Sequence, residues 1–239
     1  MSKLYTDLAE LYHEMYKNMF DYSEDFRDHD VIFKTYKSKK IFEIGCGTGN
    51  LAKYYEKAGY DYTGSDISTE MLKIAMDENP NSRFIKKDMR KLGIGTEYDA
   101  AFICGRGFTY MTTNDDVMKA LKSIYKCLKP GGIFVFDNFD ARHMFLNFKK
   151  TYFNKSTDPK TGIKYLRYSK KKMLLDGGWT WKWSARYEVR SEDSVEVYED
   201  DSVLRAFLKE EAELFLNLAK FEILEVIQGD FWFRIVAKK

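Results

Sequence analysis

Lys40-Ile41-Phe42-Glu43-Ile44-Gly45-Cys46-Gly47-Thr48-Gly49-Asn50 is the stretch that decides the fold. A short apolar run ends in glycines at every second position, and Leu51 to Ala58 then reads as a helix closed by Gly59. Strand, glycine turn and helix N-terminus in that order describe a nucleotide-type cradle at the carboxyl edge of a parallel sheet. Glycine lets the chain turn sharply there and approach a ligand with no Cβ in the way. The spacing is Gly-x-Gly-x-Gly, whereas the pattern that seats a pyrophosphate on a helix N-terminus is Gly-x-Gly-x-x-Gly. Glu43 stands two residues before the first glycine. A carboxylate at that position disfavours a pyrophosphate and favours a cation.

Outward from this stretch the pattern is regular. Tyr60 to Ser65 predicts a second strand ending at Asp66, and Ser68 can cap a helix over Met71 to Glu78 that Asn79-Pro80 stops. Arg83 to Lys87 predicts a third strand, ending at Asp88 beside Met89, and Asp99 to Cys104 a fourth. Asn114 can cap a helix over Val117 to Leu128, which Lys129-Pro130-Gly131-Gly132 terminates before a fifth strand, Ile133 to Asp137. Strands alternating with helices mean βαβ units and a parallel sheet. Glu43, Asp66 and Asp88 then share one edge of it. Asp66 is placed to accept the two hydroxyls of a ribose. Asp88 beside Met89 suits an adenine, with one contact for the exocyclic amine and one for the ring face. A hydride-transfer cofactor would use Asp66 equally well, so Glu43 and the glycine spacing are the discriminators.

Glu-x-Gly-x-Gly-x-Gly, with Asp66, Asp88 and Lys-Pro-Gly-Gly, resembles the motif set of the class I S-adenosylmethionine (SAM) methyltransferases between residues 40 and 139. The resemblance implies an α/β, Rossmann-like seven-stranded sheet and SAM as cofactor, whose sulfonium and ammonium are both cations. It implies that Gly45, Cys46, Gly47 and Gly49 form the cradle and that the backbone carbonyl of Cys104 meets the ammonium. Ile67 and Met71 would pack under the adenosine, and Tyr22 joins the cofactor contacts. The run Tyr12-His13-Glu14-Met15-Tyr16, followed by Asp21-Tyr22, is similar to the start of antibiotic-sugar N-methyltransferases. The fourth strand is not followed by Asn-Pro-Pro-Tyr, which argues against the DNA-amino and glutamine-methylating branch.

The 239 residues suffice for one large α/β domain with an insertion, or for two small domains. Lysine and arginine total 39 against 37 for aspartate and glutamate, so no global field draws in nucleic acid. Cys46, Cys104 and Cys127 are widely spaced and read as small apolar residues in a reducing compartment, with no disulfide framework and no metal site. No apolar run reaches the roughly 18 residues of a membrane span, and the start Met1-Ser2-Lys3-Leu4-Tyr5 lacks a signal sequence. The expectation is a soluble, cytoplasmic protein with no membrane partner.

Leu4, Leu8, Leu11, Tyr12, Met15, Tyr16 and Met19 recur with a helical period, and a second helix runs from Asp21-Tyr22-Ser23 through Phe26, Val31, Ile32, Phe33 and Tyr36. After Phe139 the alternation stops. Three period-2 runs, Ile163 to Met173, Trp179 to Val189 and Val195 to Val203, are separated by Asp176-Gly177-Gly178, a hairpin signal, and by Ser191-Glu192-Asp193. A helix over Arg205 to Leu218 and strands over Phe221 to Ile227 and Phe231 to Ala237 complete the chain. The expected organisation is an N-terminal helical lid (1–38), a SAM-binding domain (39–139 and 204–239) and an antiparallel substrate-side insertion (140–203).

Trp179, Trp181 and Trp183 point to one face of a strand. They either pack the insertion onto the main sheet or a partner subunit, or wall an acceptor, where an amine would gain from cation–π contact. Arg106, between Gly105 and Gly107 after the fourth strand, is either a surface residue or an acceptor contact. Tyr12 or Tyr16 can position an amine by hydrogen bonding. His143 follows the fifth strand and is the best general-base candidate among His13, His29 and His143. In-line methyl displacement asks mainly for a nucleophile held near ~3 Å and for exclusion of water. The reading is a SAM-dependent methyltransferase acting on N or O of a small-molecule acceptor, with a homodimer open. The alternatives are a protein or RNA methyltransferase, with an open groove and basic rim, and a non-catalytic SAM-binding module.

Overall fold

The strand and helix periods of the sequence are realised in a computed structural model that describes residues 2–174 and 177–239; Met1 and the Asp176 of the expected hairpin turn lie outside the described residues. A short 3-10 turn, Lys3–Tyr5, leads into α1 (Ala9–Lys17) and α2 (Tyr22–Thr35). Then follow β1 (Lys40–Ile44), α3 (Ala52–Lys57), β2 (Asp61–Asp66), α4 (Thr69–Glu78), β3 (Arg83–Lys86), β4 (Tyr98–Ile103), α5 (Asn114–Cys127) and β5 (Leu128–Phe139). Caps set the helix starts: the Ser68 hydroxyl accepts the Met71 amide at 3.1 Å to open α4. At α5 the cap is Thr113, one residue before the Asn114 expected from sequence, and its hydroxyl accepts the Asp116 amide at 3.1 Å.

After α6 (Ala141–Leu146) comes an antiparallel sheet of β6 (Thr151–Thr157), β7 (Lys164–Met173), β8 (Thr180–Arg190) and β9 (Val195–Arg205), paired in chain order. The chain then returns through α7 (Lys209–Leu218), β10 (Glu222–Gln228) and β11 (Trp232–Lys238). The main sheet has seven strands in the order β10-β11-β5-β4-β1-β2-β3, with β11 antiparallel to both neighbours. Strand order reverses between β1 and β4. In doubly wound sheets that switch point opens a crevice at the carboxyl ends of the strands. One face of the sheet packs on α5 and α7 through Phe134, Phe136 and Leu216, the other on α2, α3 and α4 through Phe33, Tyr55 and Phe102.

Three sequence expectations are corrected. The edge strand β6 was not anticipated because only Ser156 of its seven residues is buried, so no apolar alternation marks it. Trp179 precedes β8, so Trp181 and Trp183 alone share a strand face. Arg205 ends β9 and α7 starts at Lys209, because the Arg205 guanidinium is spent on Asn114 and Glu211 at 2.8 and 2.6 Å.

Candidate active site

The glycine loop is pinned to β2 by the amides of Gly45 and Cys46, which both donate to the Ser65 carbonyl at 2.7 and 2.9 Å. Gly47 has φ 55, and a Cβ built there would stand 4.0 Å from Cε1 of Tyr12, so the Tyr12 ring roofs the loop. At Gly49, φ 73, a Cβ would meet Ala75 at 3.1 Å and Asn79 at 3.0 Å; glycine is what lets α4 come this close. Asp66 ties the arrangement together. One carboxylate oxygen accepts the Gly47 amide at 3.0 Å and the other the Ser68 amide at 2.9 Å. Burial raises its pKa, against the pull of those amides. Beside it Ile67 is 40% exposed and open to a ligand. Met71, expected under the adenosine, is fully buried, because its helical position faces the sheet.

Glu43 does not reach the rim. Its side chain lies beneath the loop, 4% exposed, and accepts the Tyr62 hydroxyl at 2.6 Å. Burial pushes its pKa up to about 8, so it is largely neutral at physiological pH. The thiol of Cys46 is buried beside it and likewise raised. Asp88 is engaged by Arg90, whose guanidinium stands at 2.6 Å and holds the carboxyl below its ordinary range. Met89 packs half-buried against the main core.

Two carboxylates that sequence reading did not assign complete the edge. Asp137, near the end of β5, is buried, accepts the Arg106 amide at 3.0 Å and has its pKa raised by burial. Asp25, on α2, is half-buried and raised by burial and then by Asp137. Both also push up the half-buried Cys104 thiol, behind burial itself. A signal for each was present. Asp137 is another acid at a strand end, and Asp25 lies one helical turn beyond Tyr22 and so shares its face. Tyr22 is half-buried, with its hydroxyl pKa raised by burial and lowered by a hydrogen bond with Asn50. Carboxylates held above their ordinary pKa mark negative charge short of partners, and a cationic ligand relieves it. The donor set at this switch point therefore fits the sulfonium and ammonium of SAM.

Above the loop, the Tyr12 and Tyr16 rings stack at 4.1 Å, and the Tyr16 hydroxyl accepts from the Arg167 guanidinium of β7. The Tyr5 and Tyr110 hydroxyls are bonded at 2.6 Å, and the Tyr5 carbonyl accepts from Ser68 at 2.5 Å. A second group forms beyond β5. Arg106 adopts a left-handed backbone conformation, φ 63, and its guanidinium lies 4.9 Å from the Phe139 ring and 5.2 Å from that of Phe231. Backbone strain of this kind in a non-glycine residue persists where the surroundings over-determine it. His143 is half-buried with its ring 6.4 Å from Phe231. Trp181 is fully buried, edge-on to Phe139 at 5.8 Å and to Phe145 at 6.4 Å, which anchors the second sheet on β5 and α6. Tyr12, Tyr16, Gly47 and Asp66 thus come together, while Arg106, His143 and Trp181 gather round Phe139 and Phe231. Among the described residues no helix is long and apolar enough to cross a membrane, and no group of three or more His, Cys, Asp or Glu side chains could hold a metal ion.

Fold and cradle together are similar to those of class I SAM-dependent methyltransferases. Residues 41–132 match the family described as a methyltransferase domain. It is 36% identical over 102 residues to YqeM of Bacillus subtilis (strain 168), a methyltransferase by name, a match covering 41% of each chain. It is 26% identical over 102 residues to the dTDP-3-amino-3,4,6-trideoxy-alpha-D-glucopyranose N,N-dimethyltransferase of Streptomyces venezuelae, covering 43% of each. The chain therefore spans about two fifths of the length of these curated relatives. Among solved structures, a SAM-dependent methyltransferase from Clostridium acetobutylicum ATCC 824 has the same fold over 97% of both chains, with a TM-score of 0.79 at 20% identity.

Proposed function

We propose that the protein moves the methyl group of SAM to N or O of a small-molecule acceptor by in-line displacement. The observation that carries this is the roof over the cradle. Tyr12 lies over Gly47, Tyr5 is tied to Ser68, and Tyr16 is tied to the second sheet through Arg167. An acceptor covered by a helical lid and an antiparallel sheet is a compact molecule, whereas a protein or RNA chain needs an open groove. The amino-sugar dimethyltransferase among the relatives acts on an acceptor of that size.

In this reading Asp66 takes the ribose hydroxyls and Ile67 covers the adenine, with Asp88 and Met89 beyond it. Gly45 and Gly47 leave the backbone open to the cofactor, while Asp25, Asp137 and the Cys104 carbonyl hold its ammonium near Tyr22. SAM supplies a methyl group already activated by its sulfonium, so the protein's task is to align the acceptor and exclude water. Tyr12 and Tyr16 orient the nucleophile, Arg106 contacts the acceptor, and His143 takes the proton from it. The test is a screen of small amines and alcohols with a labelled methyl donor. Turnover on a small acceptor is expected. Methylation of protein or RNA alone, or SAM binding with no turnover on any acceptor, contradicts the reading.

A further inference from the structure

The second sheet turns one face of β7 towards α1, and that face carries two cations with no carboxylate between them. Tyr165, Arg167, Ser169 and Lys171 alternate inward there, with Tyr165 packed in one cluster with Leu4 and Met15. Arg167 is 6% exposed, yet its hydrogen bonds go to neutral partners, the Tyr16 hydroxyl and the Asn154 side-chain carbonyl at 2.9 and 3.2 Å. Lys171 is lodged among rings: its ammonium is 4.0 Å from the Tyr152 centroid and 5.6 Å from that of Trp181. The two cations flank one indole, Trp183, with Arg167 at 5.3 Å and Lys171 at 5.9 Å from its centroid. Burial, and then the charge of Arg167, lower the Lys171 pKa to about 8.

Between them in the strand stands Ser169, 2% exposed, whose hydroxyl has no partner; the Trp183 indole N–H has none either. Of the carboxylates on the same face, Glu196 is level with Tyr165 through Val189, and Asp200, level with Ser169, pairs with Ala185, which pairs in turn with Ser169. Asp200 is two strands away, about 10 Å at ordinary strand spacing, and takes hydrogen bonds from the Ser2 hydroxyl at 2.6 Å and the Leu4 amide at 3.4 Å. Buried charge is as a rule paired, and here two like charges stand beside two idle donors with no counter-charge between them.

We propose that this face holds a phosphate or diphosphate group carried by the acceptor, with Arg167 and Lys171 on its oxygens and Ser169 donating to it. A single carboxylate would satisfy one cation, whereas a diphosphate reaches both sides of Trp183. Arg167 is also bonded to Tyr16, which stacks on Tyr12 above Gly47, so the anionic end docks on the second sheet while the other end extends towards the methyl donor. The inference rests on the proposed methyl transfer to a small molecule and narrows its acceptor to a phosphate ester.

The SAM-loaded protein is titrated with inorganic pyrophosphate by calorimetry, with succinate as the carboxylate control. Saturable pyrophosphate binding is expected, weakened about tenfold by Lys171→Met and measurably by Ser169→Ala, the usual loss for a hydrogen bond to a charged group. SAM affinity should stay unchanged in both variants, which also shows that they fold. The proposal is overturned by no pyrophosphate binding to SAM-competent wild type, by equal binding in Lys171→Met, or by succinate binding as tightly. Because methyl transfer is not measured, pyrophosphate binding without any methylated acceptor would sink the activity alone, and turnover without pyrophosphate binding would sink the anion site alone.

Discussion

The two sheets offer opposite charge to the ligands they face. At the carboxyl edge of the parallel sheet, Asp25, Asp66 and Asp137 are acids whose pKa values burial has raised. On the inner face of the antiparallel sheet, Arg167 and Lys171 are cations flanking an indole. A ladder of rings, Tyr12 on Tyr16 and Tyr16 against Arg167, joins the two regions. Under the two proposals above, the contrast divides one site by charge sign, a negative half for a cationic donor and a positive half for an anionic acceptor.

The negative half is most exposed to test through pH. Glu43 has a folded-state pKa near 8 against an ordinary value of 4.5, so it keeps its proton in the fold and loses it on unfolding. Its contribution to stability is whole below the unfolded pKa and is lost as pH rises through the folded one, at about 1.4 kcal/mol per pH unit. Denaturant melts across that window should show the decline in wild type and lose most of it in Glu43→Gln. An unchanged slope would mean that Glu43 is ionised in the fold and that the negative half is larger than described.

Turnover comes next in size. If His143 takes the acceptor proton, His143→Ala should lower kcat by about 100-fold while SAM affinity holds, the lower end of general-base effects. A silent variant retires the residue and leaves Tyr12 or Tyr16 to guide an acceptor that is already deprotonated. Asp66→Ala should weaken SAM by roughly 1–3 kcal/mol, since it strands the Gly47 and Ser68 amides and removes the ribose partner. The smallest effect sharpens the contrast. SAM affinity should rise with pH as Asp25 and Asp137 ionise, since burial raises both, and Asp25→Asn should flatten that rise. A pH-independent wild type would show that these acids do not meet the cation.

Much of the parallel half was legible because its signals are local. The glycine spacing fixed the loop, Ser68 fixed the start of α4, and Asp66 announced a strand end. What escaped depends on distance along the chain. Glu43 looks like a rim carboxylate until Tyr62, which is 19 residues away, is seen to bond it. Asp25 belongs to a helix whose place beside β4 no local pattern reveals. β6 shows no alternation because it is an edge strand, and with it went Tyr152 and Asn154, which frame the cationic face. Arg167 and Lys171 fall within the period-2 run Ile163 to Met173, and only the register sets Trp183 beside Lys171 and Tyr187 beside Arg167.

The central claim is that the switch point between β1 and β4 was built for SAM. Calorimetric titration of the wild-type protein with SAM and, separately, with NAD tests it most directly. A single saturable SAM site, with no heat from NAD, is the predicted result. Binding of NAD in preference to SAM would contradict it.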